Sequence, residues 1–227
     1  MTVLDKQVGR VVESNVKTQE LVAERREHLI LSAISVFKEK GFHAATVRDI
    51  GRAAGMTQGT IYNYVGSKDD ILFLVCDRLV TEYQREVRKA MDSAGAPEVR
   101  FRLAVRAVCE VMLSHDEEIL LIYQNSHLLD KRGREVVVGR VREFIGQFES
   151  LIVEVSADAG IVVPDAYVAA NIFTFLPTMI ALRRWAFSNE TSRDELVEDI
   201  SQFLLRGIGL GPQPLMKSAN SLRLHEA

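Results

Sequence analysis

Between Thr46 and Ser67 the chain is cut into two short pieces, each opened by a hydroxyl residue and closed by glycine, and this punctuation limits the fold more than any other feature. Thr46 precedes Val47 to Ala54, with Asp49 three residues on to place negative charge in the first turn. Gly55 breaks that piece. Thr57 can cap a second one, Gln58 to Tyr64, before Gly66 and Ser67 stop it and start the next. Two short helices joined by a glycine turn are expected.

When one short helix crosses another at a steep angle, the crossing needs small residues and the turn an unusual backbone. Gly51, Ala53, Ala54 and Gly55 meet that need. Ile50 and Ile61 are spaced to plug the angle and to seat the pair on Phe37 of a preceding helix, as in a helix-turn-helix. The second helix then offers its other face to solvent, with Gln58, Thr60, Tyr62, Asn63 and Tyr64 on it. Gln and Asn can pair bidentately with adenine, Thr can touch a thymine methyl, and Tyr can reach phosphate or stack. Gly59 permits close approach. N–H groups at the helix starts near Thr46 and Ser67, with Lys68 beside the latter, suit anions.

The remaining chain reads as helix. Leu29, Ile30, Ala33, Ile34 and Phe37 recur at helical spacing up to Gly41, predicting a helix over 22–40. From Ser67 to about Met91, Leu72, Val75, Cys76, Leu79, Tyr83 and Val87 share one face. Asp92 to Pro97 forms the clearest linker, and Pro97 suits a first helical turn. Further helices are expected near 98–114, 116–128, 132–157, 165–187 and 192–208. Strand alternation is nowhere convincing, so the fold class is all-α. The domain organisation follows as a mobile N-terminal arm (1–20), a helix-turn-helix unit (21–67), a connecting helix (68–91), a larger helical domain (92–210) and a flexible tail (211–227).

The net charge of −3 argues against a nucleic-acid binder until its distribution is considered. Residues 1–68 hold ten Lys+Arg against seven Asp+Glu, a balance of +3 that leaves −6 for the remainder. Cys76 and Cys109 match no metal-ligand spacing and the five histidines are dispersed, so no metal site is expected. A reduced, cytoplasmic protein is expected, since no charged segment followed by an apolar one opens the chain. The longest uncharged run, Ala166 to Leu182, includes Asn171, Thr174, Pro177 and Thr178 and reads as a buried helix rather than a membrane span.

The segment from Thr46 to Leu72, TVRDIGRAAGMTQGTIYNYVGSKDDIL, together with Ala33 to Phe42 upstream, resembles the DNA-binding domain of the TetR family of bacterial transcriptional regulators. The match covers about residues 25–75. It departs at Gly51, where Ala is more usual, and at Val65, where Phe is more usual. The resemblance implies phosphate contacts from Thr46, Tyr64 and Lys68, with Arg48 also touching backbone. It implies groove contacts from Gln58, Thr60, Tyr62 and Asn63, with Gly59 admitting the duplex. Beyond residue 95 it implies an architecture only: a helical domain that forms a homodimer through its last two helices and holds a small-molecule effector between the others.

For the dimer, Phe173, Ile180 and Phe187 stand on one largely apolar helix and Leu196, Ile200, Phe203 and Leu204 on a second. For the effector, Tyr123, His127, Phe144 and Phe148, with Asn125 and Gln147, offer a mixed aromatic and polar lining, joined by Phe175, Met179 and Arg183. Pro177 removes a hydrogen bond inside its helix and should bend it, freeing a carbonyl near Phe173. Arg183 and Arg184 beside Trp185 could meet an anionic ligand. The layout is similar to family members that answer to acyl-CoA thioesters, so an acyl-CoA is one candidate effector beside hydrophobic drugs, other carboxylates and flavonoid-like aromatics, and no cofactor is expected.

Two other classes compete. An enzyme would need a paired-carboxylate, Ser-His-Asp or HExxH arrangement, and none is present; Gly207 to Gly211 lacks the strand and helix of a dinucleotide site. A helical protein-interaction or membrane-surface module would explain the apolar helices but not the glycine–alanine turn beside Gln58, Thr60 and Asn63. The function expected is therefore a ligand-responsive repressor with double-stranded DNA as partner and no membrane.

Overall fold

The computed structural model describes residues 19–187 and 191–211; the expected arm and tail lie almost wholly outside them. In chain order the helices are α1 (Gln19–Lys40), α2 (Val47–Ala53), α3 (Gln58–Tyr62), α4 (Lys68–Met91), α5 (Pro97–Ser114), α6 (Asp116–Asn125), α7 (Lys131–Ala159), α8 (Ala166–Phe175), α9 (Met179–Leu182) and α10 (Arg193–Gly207). The all-α expectation holds: no strand occurs among the described residues.

Local chemistry sets most boundaries. Thr46 and Asp49 form a reciprocal capping box at the start of α2, Thr57 Oγ1 accepts from the Thr60 amide at α3, and Ser67 Oγ accepts from the Asp70 amide at α4. The turns after α1 and α2 need positive φ, which Gly41 (75°) and Gly55 (61°) supply without strain. The β-prone Val136 to Val138 run lies inside α7, where the helical period on either side prevails.

The expected single helix over 165–187 is corrected. Pro177 does more than bend it: α8 ends at Phe175, a 3-10 turn covers Leu176–Thr178, α9 lasts four residues, and a further 3-10 turn follows at Arg184–Ala186. A ring in place of an amide hydrogen at 177 clashes with the preceding turn and ends regular α geometry. Among the described residues no helix is long and apolar enough to cross a membrane.

The apolar stripe expected on α4 is buried throughout, from Leu72 to Val87. Helix α4 packs on α1 at one end and on α5 and α7 further along, so it belongs to both halves of the molecule. Helix α5 lies at the centre of the larger domain. Its Phe101 meets Phe173 of α8 edge-on at 5.0 Å and Phe148 of α7 at 6.5 Å. Arg102, also on α5, is buried, paired with Glu98 and donating to the Gly211 carbonyl at 2.7 Å. That bond fastens the end of the described chain to the core. Cys76 and Cys109 are free and buried, and desolvation pushes their thiols up to about 12 and about 11.

Candidate functional site

The short helices α2 and α3 cross at Gly51. A Cβ there would lie 2.7 Å from the Met56 carbonyl oxygen and 3.1 Å from Ile61 Cδ1, so the crossing admits no side chain. Ile50, Ile61, Phe37 and Val65 close the angle from within, all buried. Ala54 is buried beside them, whereas Ala53, also expected at the crossing, faces solvent.

This packing turns one surface outward. Thr46, Arg48, Gln58, Gly59, Tyr62 and Asn63 are exposed and Thr60 is half-buried, as a groove-reading face requires. The side chains of Arg48, Gln58, Tyr62 and Asn63 are committed to no other described residue, and all four are free to meet a ligand. The Thr46 hydroxyl donates to Asp49 Oδ2 at 2.6 Å, and Lys40 Nζ donates to Asp49 Oδ1 at 2.9 Å. The Lys40 ammonium and then the Thr46 hydrogen bonds hold the Asp49 carboxyl well below the usual carboxylate range.

Two expected members of the face stand elsewhere. Tyr64 is 5% exposed and belongs to the core, because it follows α3 on the side that turns back towards α4. Lys68 is half-buried; its ammonium donates to the carbonyls of Phe42 at 2.7 Å, Ala45 at 2.8 Å and His43 at 3.3 Å. It therefore ties the first turn of α4 to the loop between α1 and α2. Sequence reasoning saw a cation at a helix start and could not see which oxygens surround it.

In the larger domain α4, α5, α6, α7 and α8 enclose a cavity of about 1020 Å³. Its walls are chiefly branched aliphatic, with Val80 and Val87 of α4 facing Val137, Val138 and Val141 of α7. Tyr123, His127, Phe144 and Phe175 line it as expected. Phe148, Met179 and Arg183 do not: Phe148 is wholly buried against Phe144 and Phe101, and the break at Pro177 carries Met179 and Arg183 away from the wall. Asn125 and Gln147 are also absent from the lining; Asn125 bonds back to the Leu121 carbonyl at 2.8 Å.

The polar lining comes largely from residues with no sequence signal. Thr178, buried, donates to Met112 Sδ at 3.8 Å, and the phenol of Tyr123 is shifted upward by burial. Gln84 donates to the Arg140 carbonyl at 3.0 Å, and Arg134 to the carbonyls of His127 and Leu129 at 2.6 and 3.1 Å. Among the described residues Arg134 is the one Lys or Arg in the lining.

The expected dimer residues divide. Phe173, Ile180, Ile200 and Leu204 are corrected to core residues, at most 8% exposed within a single subunit. The apolar stripe of α10 is spent on α5. Leu196 and Phe187 are half-buried, while Phe203 is 71% exposed on the opposite side of α10. On α8 the exposed residues Tyr167, Val168, Ile172 and Phe175 all belong to the cavity lining, so they stand at its open side.

Residues 29–75 match the family profile described as bacterial regulatory proteins, tetR family, and residues 94–208 match a tetracyclin repressor-like C-terminal domain. The chain belongs to the TetR family. It is a TetR-type transcriptional regulator with a helix-turn-helix DNA-binding domain and a helical C-terminal domain. Among curated relatives of this family it is 28% identical over 197 residues to the HTH-type transcriptional regulator HbdR of Aromatoleum sp. (strain CIB), covering 86% of each chain. A tetR-family regulatory protein from Rhodococcus RHA1 has the same fold, with a TM-score of 0.73 at 20% identity over 83% of this chain and 99% of that one. AibR, solved in complex with isovaleryl coenzyme A and operator DNA, superposes with a TM-score of 0.67 at 16% identity, covering 79% and 97%.

Proposed function

We propose that the chain is a repressor that binds a near-palindromic DNA operator as a homodimer and is released when a small hydrophobic effector, an acyl-CoA thioester, enters the cavity. One observation carries this reading: α4 serves both sites. Its first turn is held to the α1–α2 loop by Lys68, and its middle supplies Val80, Tyr83, Gln84 and Val87 to the cavity wall. An effector that displaces this wall acts on the element that carries the recognition face.

The lining supports the effector class. Its aliphatic walls suit an acyl chain, and a lining whose only Lys or Arg among the described residues is Arg134 leaves a nucleotide phosphate end to the mouth and to solvent. AibR supplies a precedent for a coenzyme A thioester on this fold. Dimerisation is supported by Phe203 on α10 and Trp185 after α9, large apolar side chains 71% and 84% exposed in a single subunit. Thr46 and Arg48 are assigned to phosphate, and Gln58, Thr60, Tyr62 and Asn63 to the groove, with Gly59 allowing approach, while Lys68 holds α4 to the loop that precedes α2. Two such faces about one DNA turn apart (~34 Å), or a multiple of it, read the two half-sites.

The test is a footprint on DNA upstream of the protein's own gene, followed by challenge with acyl-CoAs, free acids and apolar aromatics. A protected near-palindrome released by acyl-CoA is expected, and Asn63→Ala should weaken specific binding by about 1–3 kcal/mol. Absence of any protected site at low salt refutes the reading.

A further inference from the structure

Between α1, α4 and α7 lies a second, polar groove of about 350 Å³ that includes Glu27, Asp77, Arg78, Glu82 and Arg140. These side chains form two sets of ion pairs, Arg140 with Asp77 and Arg78 with Glu27 and Glu82. Arg140 of α7 engages the Asp77 carboxylate of α4 through both Nε and Nη2, the latter at 3.3 Å. The next residue, Arg78, donates from Nε to Glu27 of α1 at 2.7 Å and also pairs with Glu82. A two-point Arg–carboxylate contact fixes orientation as well as distance, and the Arg140–Asp77 side chains are only 24% and 16% exposed. An exposed single contact would carry little.

Arg140 stands on the same two turns of α7 as Val137, Val138 and Val141, which line the cavity. Its carbonyl accepts from Gln84, which also lines the cavity. One residue therefore joins α7 to α4 twice, at the cavity wall through its backbone and in the groove through its guanidinium. We propose that Arg140 is a positioning residue, which together with Asp77 transmits displacement of the α7 wall to α4, the helix whose first turn Lys68 ties to the DNA-binding domain. The inference rests on the reading that the cavity holds an effector. When the cavity fills, Val137 and Val141 are pressed outward and Arg140 moves with them. The Asp77 carboxylate follows its two donors, and α4 moves with it.

Another ion pair of α7 provides the comparison. Arg100 of α5 pairs with Glu154 near the far end of α7 and reaches nothing in the DNA-binding domain. Both natural cysteines are fully buried, so spin labels can be attached to Arg52→Cys on α2 and Asp199→Cys on α10, both exposed positions. Full-length labelled protein diluted with unlabelled protein reports the distance between them within one subunit by pulsed electron resonance. In Arg140→Gln and in Asp77→Asn the distribution should shift or widen by about 2 Å or more, the scale of helix shifts in such transitions. The double variant should change no further than either single one, and Arg140→Lys, which keeps a cation opposite Asp77, should stay nearer the wild type. Arg100→Gln should leave the distribution unchanged. The proposal fails if Arg140→Gln behaves like Arg100→Gln, or if the two groove substitutions add. The measurement uses neither DNA nor effector, so its outcome is separate from that of the footprint.

Discussion

The ammonium of Lys68 donates to the Phe42 carbonyl at 2.7 Å and lies 4.3 Å from the centre of the Phe42 ring. Two further carbonyls, of His43 and Ala45, complete its surroundings. A lysine has three N–H bonds to give, and here each has an oxygen within the protein. Phe42 in turn meets Phe37 edge-on at 5.3 Å, so the cation, the loop and the core of the DNA-binding domain form one packed unit.

The substitution Lys68→Met should therefore act first on stability. Loss of charge-assisted bonds to two closely held carbonyls costs about 1–3 kcal/mol. The check is urea unfolding of the variant beside a salt titration of DNA binding. A dimer making about eight phosphate contacts has a log-log slope near −7. Lys68→Met should lower the unfolding midpoint and reduce that slope by less than about one per subunit. A stable variant with a reduced slope would show instead that the ammonium leaves its carbonyls for phosphate.

Gly51→Ala should disrupt the recognition face selectively. The added Cβ meets the backbone oxygen of Met56 at 2.7 Å, and that oxygen cannot swing aside as a flexible side chain would. Overpacking of this kind costs about 1–3 kcal/mol. Calorimetry should record a less stable protein with DNA affinity greatly reduced, while binding of acyl-CoA at the distant cavity is unchanged.

Asp49 gives the DNA-binding domain a dependence on acidity. Its folded-state value is depressed by Lys40 and the Thr46 hydrogen bonds, so the unfolded chain takes up the proton first as pH falls. The contribution is fully present above the ordinary aspartate range, about pH 4, and declines below it towards the lower folded value. Unfolding midpoints measured from pH 5 downward should decrease, and Asp49→Asn should be less stable at pH 5 with a shallower decline.

Val141→Trp should close part of the cavity. Val141 is 39% exposed at the wall, where an indole can enter the space without rebuilding the core. Calorimetric titration should find acyl-CoA affinity lowered at least tenfold, with operator affinity in the absence of effector within about threefold of the wild type. Unaltered acyl-CoA affinity would place the effector elsewhere.

Where the chemistry was local, the sequence was a sufficient guide. The caps at Thr46, Thr57 and Ser67, the positive-φ glycines and the buried faces of α1 and α4 depend on neighbours within four residues, and each stands as read. The expected groove residues are outward for the same reason: once Ile50 and Ile61 are inside, the α3 residues between them and the turn have no other place. Tyr64 and Lys68 differ because their surroundings come from α4 and from the loop after α1, more than twenty residues away in the case of Lys68.

Helical periodicity shows that one side of a helix is apolar; it does not show what covers that side. The stripe through Ile200 and Leu204 was read as an interface between subunits and is the contact between α10 and α5 within one subunit, leaving Phe203 outside. In the same way Phe148 and Phe144 are four residues apart on α7, yet one fills the core and the other lines the cavity. The Arg140–Asp77 pair joins residues 63 apart, and neither has a local pattern that announces it. The helices, their caps and the outward side of α3 were thus legible in the chain alone, because they follow from torsional preference and short-range hydrogen bonds. Which apolar faces meet within a subunit, where the cavity opens and which ion pairs join α7 to α4 came only with the packed molecule, because those depend on the relative placement of helices distant in the chain.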